Sequence, residues 1–92
     1  RVLLGEGVEL GDEVKFQGHI VIGRGCRIGS GTIIKDTVIW EQSDIGPASV
    51  LKDCTIGRQC KIGSGTIVRP GTVMGSGCKV PGNSILGPSQ GL

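Results

Sequence analysis

The sequence predicts an all-β solenoid, in which short parallel strands wrap into stacked triangular coils, and three observations support this. A bulky apolar residue recurs at every sixth position, a period that belongs neither to a helix nor to an isolated strand. Glycine usually follows this residue, and a smaller residue suited to the interior lies four positions after it. Because such short strands cannot bury an apolar face alone, successive hexads have to stack on one another.

The repeat is divided into two blocks that differ in phase. The bulky residues are Leu4, Leu10, Phe16, Ile22, Ile28 and Ile34 in the first block, and Ile56, Ile62, Val68, Met74, Val80, Leu86 and Leu92 in the second. Three hexads close one coil, so residues eighteen apart are expected to lie above one another at a spacing of about 4.8 Å. The predicted ladders are Ile56–Met74–Leu92, Ile62–Val80 and Val68–Leu86. Five coils fit in the chain, with a register slip predicted near residues 39–46.

The smaller residue of each hexad is also expected to face inward. This set comprises Val8, Val14, Ile20, Cys26, Thr32 and Val38 in the first block, and Ala48, Cys54, Cys60, Thr66, Thr72, Cys78 and Ser84 in the second. At the slip, Trp40 continues the first phase and Ile45 begins a new hexad. The favoured interpretation of Trp40 is a ring that fills a widened corner of the coil, and the alternative is an exposed contact residue.

Composition excludes several other classes of protein. The 92 residues include one Phe, one Trp and no Tyr, which is too few aromatic residues for the centre of an ordinary compact globule. Eighteen glycines without a three-residue period exclude collagen, and 37% hydrophobic residues argue against disorder. The longest apolar run is three residues, so neither a membrane span nor a targeting segment is expected, and a cytoplasmic location is predicted.

The run from Val21 to Ile34, VIGRGCRIGSGTII, resembles the hexapeptide repeat of left-handed parallel β-helix proteins. Two segments, 37–40 (TVIW) and 44–57 (DIGPASVLKDCTIG), are similar to the C-terminal β-helix of sugar-nucleotide pyrophosphorylases of the mannose-1-phosphate guanylyltransferase type. A similar β-helix occurs in the catalytic subunits of the translation-initiation guanine nucleotide exchange factor. The resemblance implies the left hand, since the general rule for parallel crossovers favours the right.

The resemblance also carries a functional expectation. In the sugar-nucleotide enzymes the reaction takes place in an N-terminal Rossmann-like domain, whose glycine- and arginine-rich signature loop is absent here. Residues 1–92 are therefore expected to be one non-catalytic accessory domain of a longer chain. Its expected partners are the N-terminal catalytic domain and one or two sister chains, which form a homodimer or homotrimer. A hexapeptide acyltransferase with a site between subunits, and a scaffold domain of the exchange factor, are the alternatives.

The four cysteines, Cys26, Cys54, Cys60 and Cys78, could suggest a metal site or a disulfide. Each occupies the inward small-residue position of a hexad, and no CxxC motif occurs. Cys60 and Cys78 are expected to be neighbours on one ladder, at a spacing compatible with two thiols or a strained bridge. Free cysteines in the core are the favoured interpretation.

His19 is the only histidine in the chain. A zinc site with three histidine ligands, as in γ-class carbonic anhydrases, therefore cannot form even between subunits without further histidines. A hexapeptide acyltransferase needs one histidine as general base, and His19 could supply it. However, His19 lies at an outward position, and the sequence lacks the long inserted loop typical of these enzymes. A surface residue is the favoured interpretation.

The remaining motifs also have structural explanations. Gly-x-Gly triplets begin at Gly5, Gly23, Gly29, Gly63 and Gly75, but none completes a GxGxxG motif before a helix, so they are expected to be corners. Thr32, Thr66 and Thr72 occupy inward positions, which does not support an outward threonine array of the ice-binding kind. No catalytic, cofactor-binding or metal-binding residue and no cofactor is predicted.

Charge is distributed unevenly along the chain. Residues 1–53 hold all eight acidic residues and six basic ones, whereas residues 54–92 hold four basic residues and no acidic one. Lys61 and Lys79 are expected to stack, which costs some free energy unless an acidic partner lies over them. A solvated face is the favoured interpretation and an acidic partner domain the alternative. Without interleaved aromatic residues, no nucleic acid partner is expected.

Overall fold

The computed structural model describes residues 1–88, which form fifteen short strands and no helix. The strands are β1 (Val2–Leu4), β2 (Glu9–Leu10), β3 (Lys15–Gln17), β4 (Ile20–Ile22), β5 (Arg27–Ile28), β6 (Ile33–Lys35), β7 (Val38–Ile39), β8 (Asp44–Ile45), β9 (Val50–Lys52), β10 (Thr55–Ile56), β11 (Lys61–Ile62), β12 (Ile67–Val68), β13 (Val73–Met74), β14 (Lys79–Val80) and β15 (Ile85–Leu86). In this part of the chain, no helix is long and apolar enough to cross a bilayer.

Every third strand belongs to the same sheet, so the chain turns through three sheets in each coil. Sheet A has the order β1-β4-β7-β10-β13, sheet B β2-β5-β8-β11-β14, and sheet C β3-β6-β9-β12-β15. All strand pairs are parallel. The predicted all-β solenoid of five triangular coils is therefore confirmed.

The second of the two residues in a typical strand faces the axis of the solenoid and forms the core. Ile56 pairs with Met74, Ile62 with Val80 and Val68 with Leu86, as the repeat predicts. Leu92, the expected next member of the first ladder, lies outside the described residues. Core side chains in the middle coils are almost fully buried, because each is covered by a ladder neighbour on both sides.

The phase change comes from two corners that are each one residue shorter than the others. Seventeen residues, rather than eighteen, separate Ile22 from Ile39 and Ile39 from Ile56, although these residues pair directly. Both short corners join sheet C to sheet A. Asp36 lies in the first and Asp53 in the second, with φ values of 46° and 47°. The predicted single slip near 39–46 is therefore replaced by two single-residue steps that flank that segment.

In the segment between the two short corners, the residues that face inward differ from those that an uninterrupted hexad phase predicts. Val38 and Ala48, both predicted to face inward, are exposed, and Ala48 is a turn residue with a φ of 57°. Thr37 and Ser49 take the inward positions and are fully buried. The sequence prediction was wrong at Val38 and Ala48, because it carried one uninterrupted phase through each block. Ile45 is buried, as expected for the start of a hexad.

Hydroxyl groups line the corners of the core, and each donates a hydrogen bond to a backbone carbonyl. The distances are 3.1 Å from Thr32 to Gly46, 2.7 Å from Thr37 to Lys35, and 2.7 Å from Ser43 to Gly57. Ser49 and Thr66 do the same to Gly46 and Gly63. Burying these polar side chains is therefore compensated by hydrogen bonds.

Candidate functional site

The outward face of sheet A is apolar over most of its length. Its central ladder consists of Leu3, Val21, Val38, Thr55 and Val73, which are direct neighbours across the five strands. Four of these five are apolar and exposed, and Val73 is 78% exposed. Apolar side chains that form a continuous stripe on a surface are typical of an interaction site.

Trp40 borders this face at the corner between sheets A and B. It follows Ile39 at the position that glycine holds in the other four coils, in Gly5, Gly23, Gly57 and Gly75. Its side chain is 48% exposed, so the favoured prediction that it fills a widened corner was wrong, and the alternative of an exposed residue is confirmed. Ile39, one residue earlier, fills the core position because the preceding corner is short.

An arginine contacts the indole, and two ion pairs join the charged residues beside it. The Arg58 guanidinium lies 5.7 Å from the centroid of the Trp40 ring, within the range of a cation–π contact. Arg58 Nε donates to Glu41 Oε1 at 3.1 Å, and Arg24 lies 3.8 Å from Glu41 Oε2. We call Arg24, Trp40, Glu41 and Arg58 the Trp40 corner. Trp and Arg are among the residues most enriched at energetically important positions of protein interfaces.

Shallow depressions flank the indole on both sides. One has a volume of about 220 Å³ and is lined by Val21, Gly23, Val38 and residues of the Trp40 corner. The other, of about 290 Å³, lies against Thr55, Gly57 and Val73. Both are open because the corner glycines carry no side chain, so the ring stands above the surrounding surface.

The outward ladder of sheet B is charged. It runs Glu9, Arg27, Asp44, Lys61 and Lys79, so the sign alternates until the last two strands. Arg27 Nε contacts Glu9 Oε1 at 3.3 Å. The predicted stacking of Lys61 on Lys79 is confirmed. Charges on such an exposed ladder are solvated and contribute little to stability.

Sheet C combines apolar and basic ladders. Ile33, Val50, Ile67 and Ile85 are consecutive neighbours on one ladder, and Lys35 pairs with Lys52 on the next. Arg69 continues the basic side one coil further on, after Val68, the partner of Leu51. Sheet C therefore presents a basic edge that the sheet A face does not have.

His19 lies on the corner between sheets C and A and is exposed, as its outward position predicts. Its backbone N–H donates to Asp36 Oδ1 at 2.9 Å. Within residues 1–88, no three His, Cys, Asp or Glu side chains come close enough to hold a metal ion. The base considered for an acyltransferase is thus a single exposed imidazole on a corner.

The Gly-x-Gly triplets are corners, as predicted. In the triplet Gly29-Ser30-Gly31, a Cβ on Gly29 would lie 2.6 Å from Pro47 Cα in the next coil. Gly31 has a φ of 73°, which favours glycine. The first glycine therefore allows close stacking and the second allows the turn.

All four cysteines are free thiols, which confirms the favoured interpretation. The Cys26 Sγ donates to Trp40 O at 2.9 Å, and the Cys54 Sγ lies 3.6 Å from Thr37 Oγ1. Burial raises the pKa of both thiols above the ordinary value of 9.0. Cys78 is only half-buried, directly before β14 in the last coil.

The thiol environments predict an order of chemical reactivity. In the native protein, a thiol reagent such as DTNB should modify Cys78 first, because it is the only one of the four that is not buried. Cys26, Cys54 and Cys60 should react only on unfolding, since a buried thiol is shielded from the reagent. Rapid modification of all four thiols in the native protein would contradict this assignment.

The raised pKa values of Cys26 and Cys54 also predict a pH dependence of stability. The free energy of unfolding should fall as the pH rises above about 9.0, since the unfolded state loses these two protons first while the folded state retains them. Denaturant titrations at pH 8 and pH 10 measure this difference. The variant Cys26→Ser/Cys54→Ala is the control, and it should lose most of the pH dependence that the two thiols contribute.

These features place the protein among the hexapeptide-repeat left-handed β-helix domains. Residues 1–86 match the family model described as the LbH domain of EIF2B subunit epsilon, and the chain belongs to this family. A solved structure with the same fold is a mutant of perosamine N-acetyltransferase from Caulobacter crescentus, in complex with CoA and GDP-perosamine. The two are 22% identical with a TM-score of 0.59, over 92% of this chain and 44% of that one. The chain thus spans less than half of this neighbour's length.

Proposed function

We propose that this domain is a non-catalytic accessory β-helix that assembles a larger enzyme or factor by self-association. The observation that carries the proposal is the apolar face of sheet A with the exposed Trp40 at its border. An exposed stripe of this kind costs solubility unless another surface covers it. The charged ladder of sheet B, by contrast, suits a face that stays in water.

For the parent protein, we propose a cytoplasmic sugar-phosphate nucleotidyltransferase of the mannose-1-phosphate guanylyltransferase type. The similarity of residues 37–40 and 44–57 to the β-helix of these enzymes supports it. In this proposal an N-terminal domain of the same chain carries out the transfer, and residues 1–92 supply the contacts between subunits. No membrane and no nucleic acid takes part.

The second candidate is a scaffold domain of a translation-initiation nucleotide exchange factor. The match of residues 1–86 to the LbH domain of EIF2B subunit epsilon favours it. Both candidates share the assembly role and differ in what the rest of the chain does. Full-length protein that forms a nucleotide sugar from a sugar phosphate and a nucleoside triphosphate would support the first. Full-length protein that instead accelerates nucleotide exchange on a GTPase would support the second.

The assembly role is tested by measuring the mass of the 92-residue chain by sedimentation over a range of concentrations. We expect a dimer or trimer that dissociates on dilution, with a monomer mass of 9.5 kDa as the lower limit. A mass that stays at the monomer value at every concentration would contradict self-association.

The accessory role is tested by thermal shift with GTP, GDP-mannose, other nucleotide sugars and acetyl-coenzyme A. We expect no shift with any of them, although a ligand at a hundredfold excess over its Kd would stabilise the fold by roughly 2.7 kcal/mol. The matched variant is His19→Ala, which should melt like the wild type because this side chain is exposed. Stabilisation by acetyl-coenzyme A that His19→Ala abolishes would instead establish an acyltransferase.

A further inference from the structure

The corner between sheets A and B carries a charge pattern that is complementary to itself when reversed. The residues that follow the corner position in the first four coils are Glu6, Arg24, Glu41 and Arg58, so the sign alternates along the solenoid axis. Read in the opposite direction, the series places an arginine wherever the forward series has an acid. The sheet B ladder alternates in the same way over its first four residues, Glu9, Arg27, Asp44 and Lys61, but these charges lie along the centre of that face, whereas the corner charges border the apolar ladder of sheet A.

We propose that two copies of this chain pack face to face through sheet A, antiparallel, about a two-fold axis that lies in the interface and passes between β4 and β7. This inference rests on the proposed assembly role and specifies its surface and partner. The axis brings Arg24 of each copy to Glu41 of the other and Glu6 of each copy to Arg58 of the other. A two-fold interface repeats each contact, so four ion pairs form along the border.

The same axis accounts for the exposed tryptophan. It exchanges the third coil (β7–β9) with the second coil (β4–β6), so that Trp40 of each copy lies over Gly23 of the other. Gly23 has no side chain, and the depression beside it has a volume of about 220 Å³ and apolar walls in Val21 and Val38. The indole of one copy therefore enters the depression of the other, and the reverse contact forms at the same time.

The first four residues of the outward ladder of sheet A also match under this operation, whereas Val73 in the fifth coil lies beyond the overlap. Val21 meets Val38 of the other copy, and Leu3 meets Thr55, so the centre of the interface contains no charge. The intramolecular contacts of the Trp40 corner are compatible with the interface, since Glu41 has two oxygens and each arginine several donors. Arg58 holds the indole in the free chain, which lowers the entropy lost on binding.

The test uses charge reversal and sedimentation of the 92-residue chain. Arg24→Glu alone sets two glutamates against each other at both symmetry-related contacts, and Glu41→Arg alone sets two arginines against each other. Each single variant should weaken self-association more than tenfold. An equimolar mixture of the two variants should restore it, because both glutamates of the first variant then face the two arginines of the second. The double variant Arg24→Glu/Glu41→Arg should also associate, since each introduced glutamate faces an introduced arginine.

Trp40→Ala provides a second variant and Ile67→Ala the matched control. Removal of the indole should weaken association more than tenfold, while truncation of Ile67, which is exposed on sheet C, should have no effect on mass. Circular dichroism and thermal melting check that every variant folds.

The outcomes separate this inference from the proposed function. Wild-type association with no effect of the charge variants or of Trp40→Ala would overturn the sheet A interface and leave the assembly role standing. The same holds if both single variants dissociate but their mixture does not reassociate, since Arg24 and Glu41 then do not face each other across the interface. A wild-type monomer at all concentrations would overturn both.

Discussion

Ile62→Ala should lower the free energy of unfolding by about 2–5 kcal/mol, the range observed for large-to-small changes in close-packed cores. Ile62 is 3% exposed and lies between Ile45 and Val80 on its ladder. Both neighbours are held by backbone hydrogen bonds and cannot move inward to fill the cavity. For a domain of this size, each kcal/mol corresponds to roughly 4–8 °C in the unfolding midpoint, so thermal and urea melts measure the loss easily.

The matched control is Ile67→Ala, which makes the same chemical change on an outward ladder. Ile67 is 41% exposed, so its truncation should cost less than about 1 kcal/mol. A midpoint for Ile62→Ala that equals the wild-type value would mean that Ile62 does not face the core, and the register of the coils would then be wrong.

Gly29→Ala should lower stability to a similar extent, although it adds only one methyl group. The new Cβ would lie 2.6 Å from Pro47 Cα and 2.8 Å from the Gly46 carbonyl carbon, both in the backbone of the next coil. Backbone atoms inside a stack of coils cannot yield as a flexible side chain can. We therefore expect a loss of about 3 kcal/mol, the upper part of the range for overpacked sites, or a failure to accumulate folded protein.

Gly75→Ala tests whether this cost comes from stacking rather than from the loss of glycine itself. Gly75 occupies the same position after a core residue, but among the described residues a Cβ there meets no atom within 4 Å. The substitution should leave stability unchanged or raise it by about 0.4–1 kcal/mol, because alanine restricts the unfolded chain. Equal losses for Gly29→Ala and Gly75→Ala in denaturant titrations would contradict the stacking explanation.

The core ladders were predictable because a solenoid repeats the same environment at a constant interval. Ile56 over Met74 and Ile62 over Val80 follow from counting eighteen residues, with no knowledge of the rest of the fold. The free cysteines followed in the same way, since each occupies a position that serine, threonine or valine fills in other hexads. Local pattern and tertiary structure agree wherever every coil has the same length.

The prediction failed where coils are shorter, at Val38, Trp40 and Ala48. The sequence shows the total phase change of the second block but not how it is distributed along the chain. Two aspartates with positive φ, Asp36 and Asp53, lie at the corners that are one residue short. Aspartate tolerates this conformation better than most residues, but nothing in the hexad pattern distinguishes these two from other polar corner residues.

The hexad pattern was sufficient to establish the all-β solenoid, the number of coils and most core residues, because burial in a stacked coil allows only one face of each hexad to be apolar. Which outward residues become neighbours depends instead on how the coils close. Leu3, Val21, Val38 and Val73 are dispersed through the chain, and they form one surface because three corners per coil bring every third strand onto the same sheet. Trp40 lies at the border of that surface because a corner one residue shorter moved Ile39 into the core and left the indole outside.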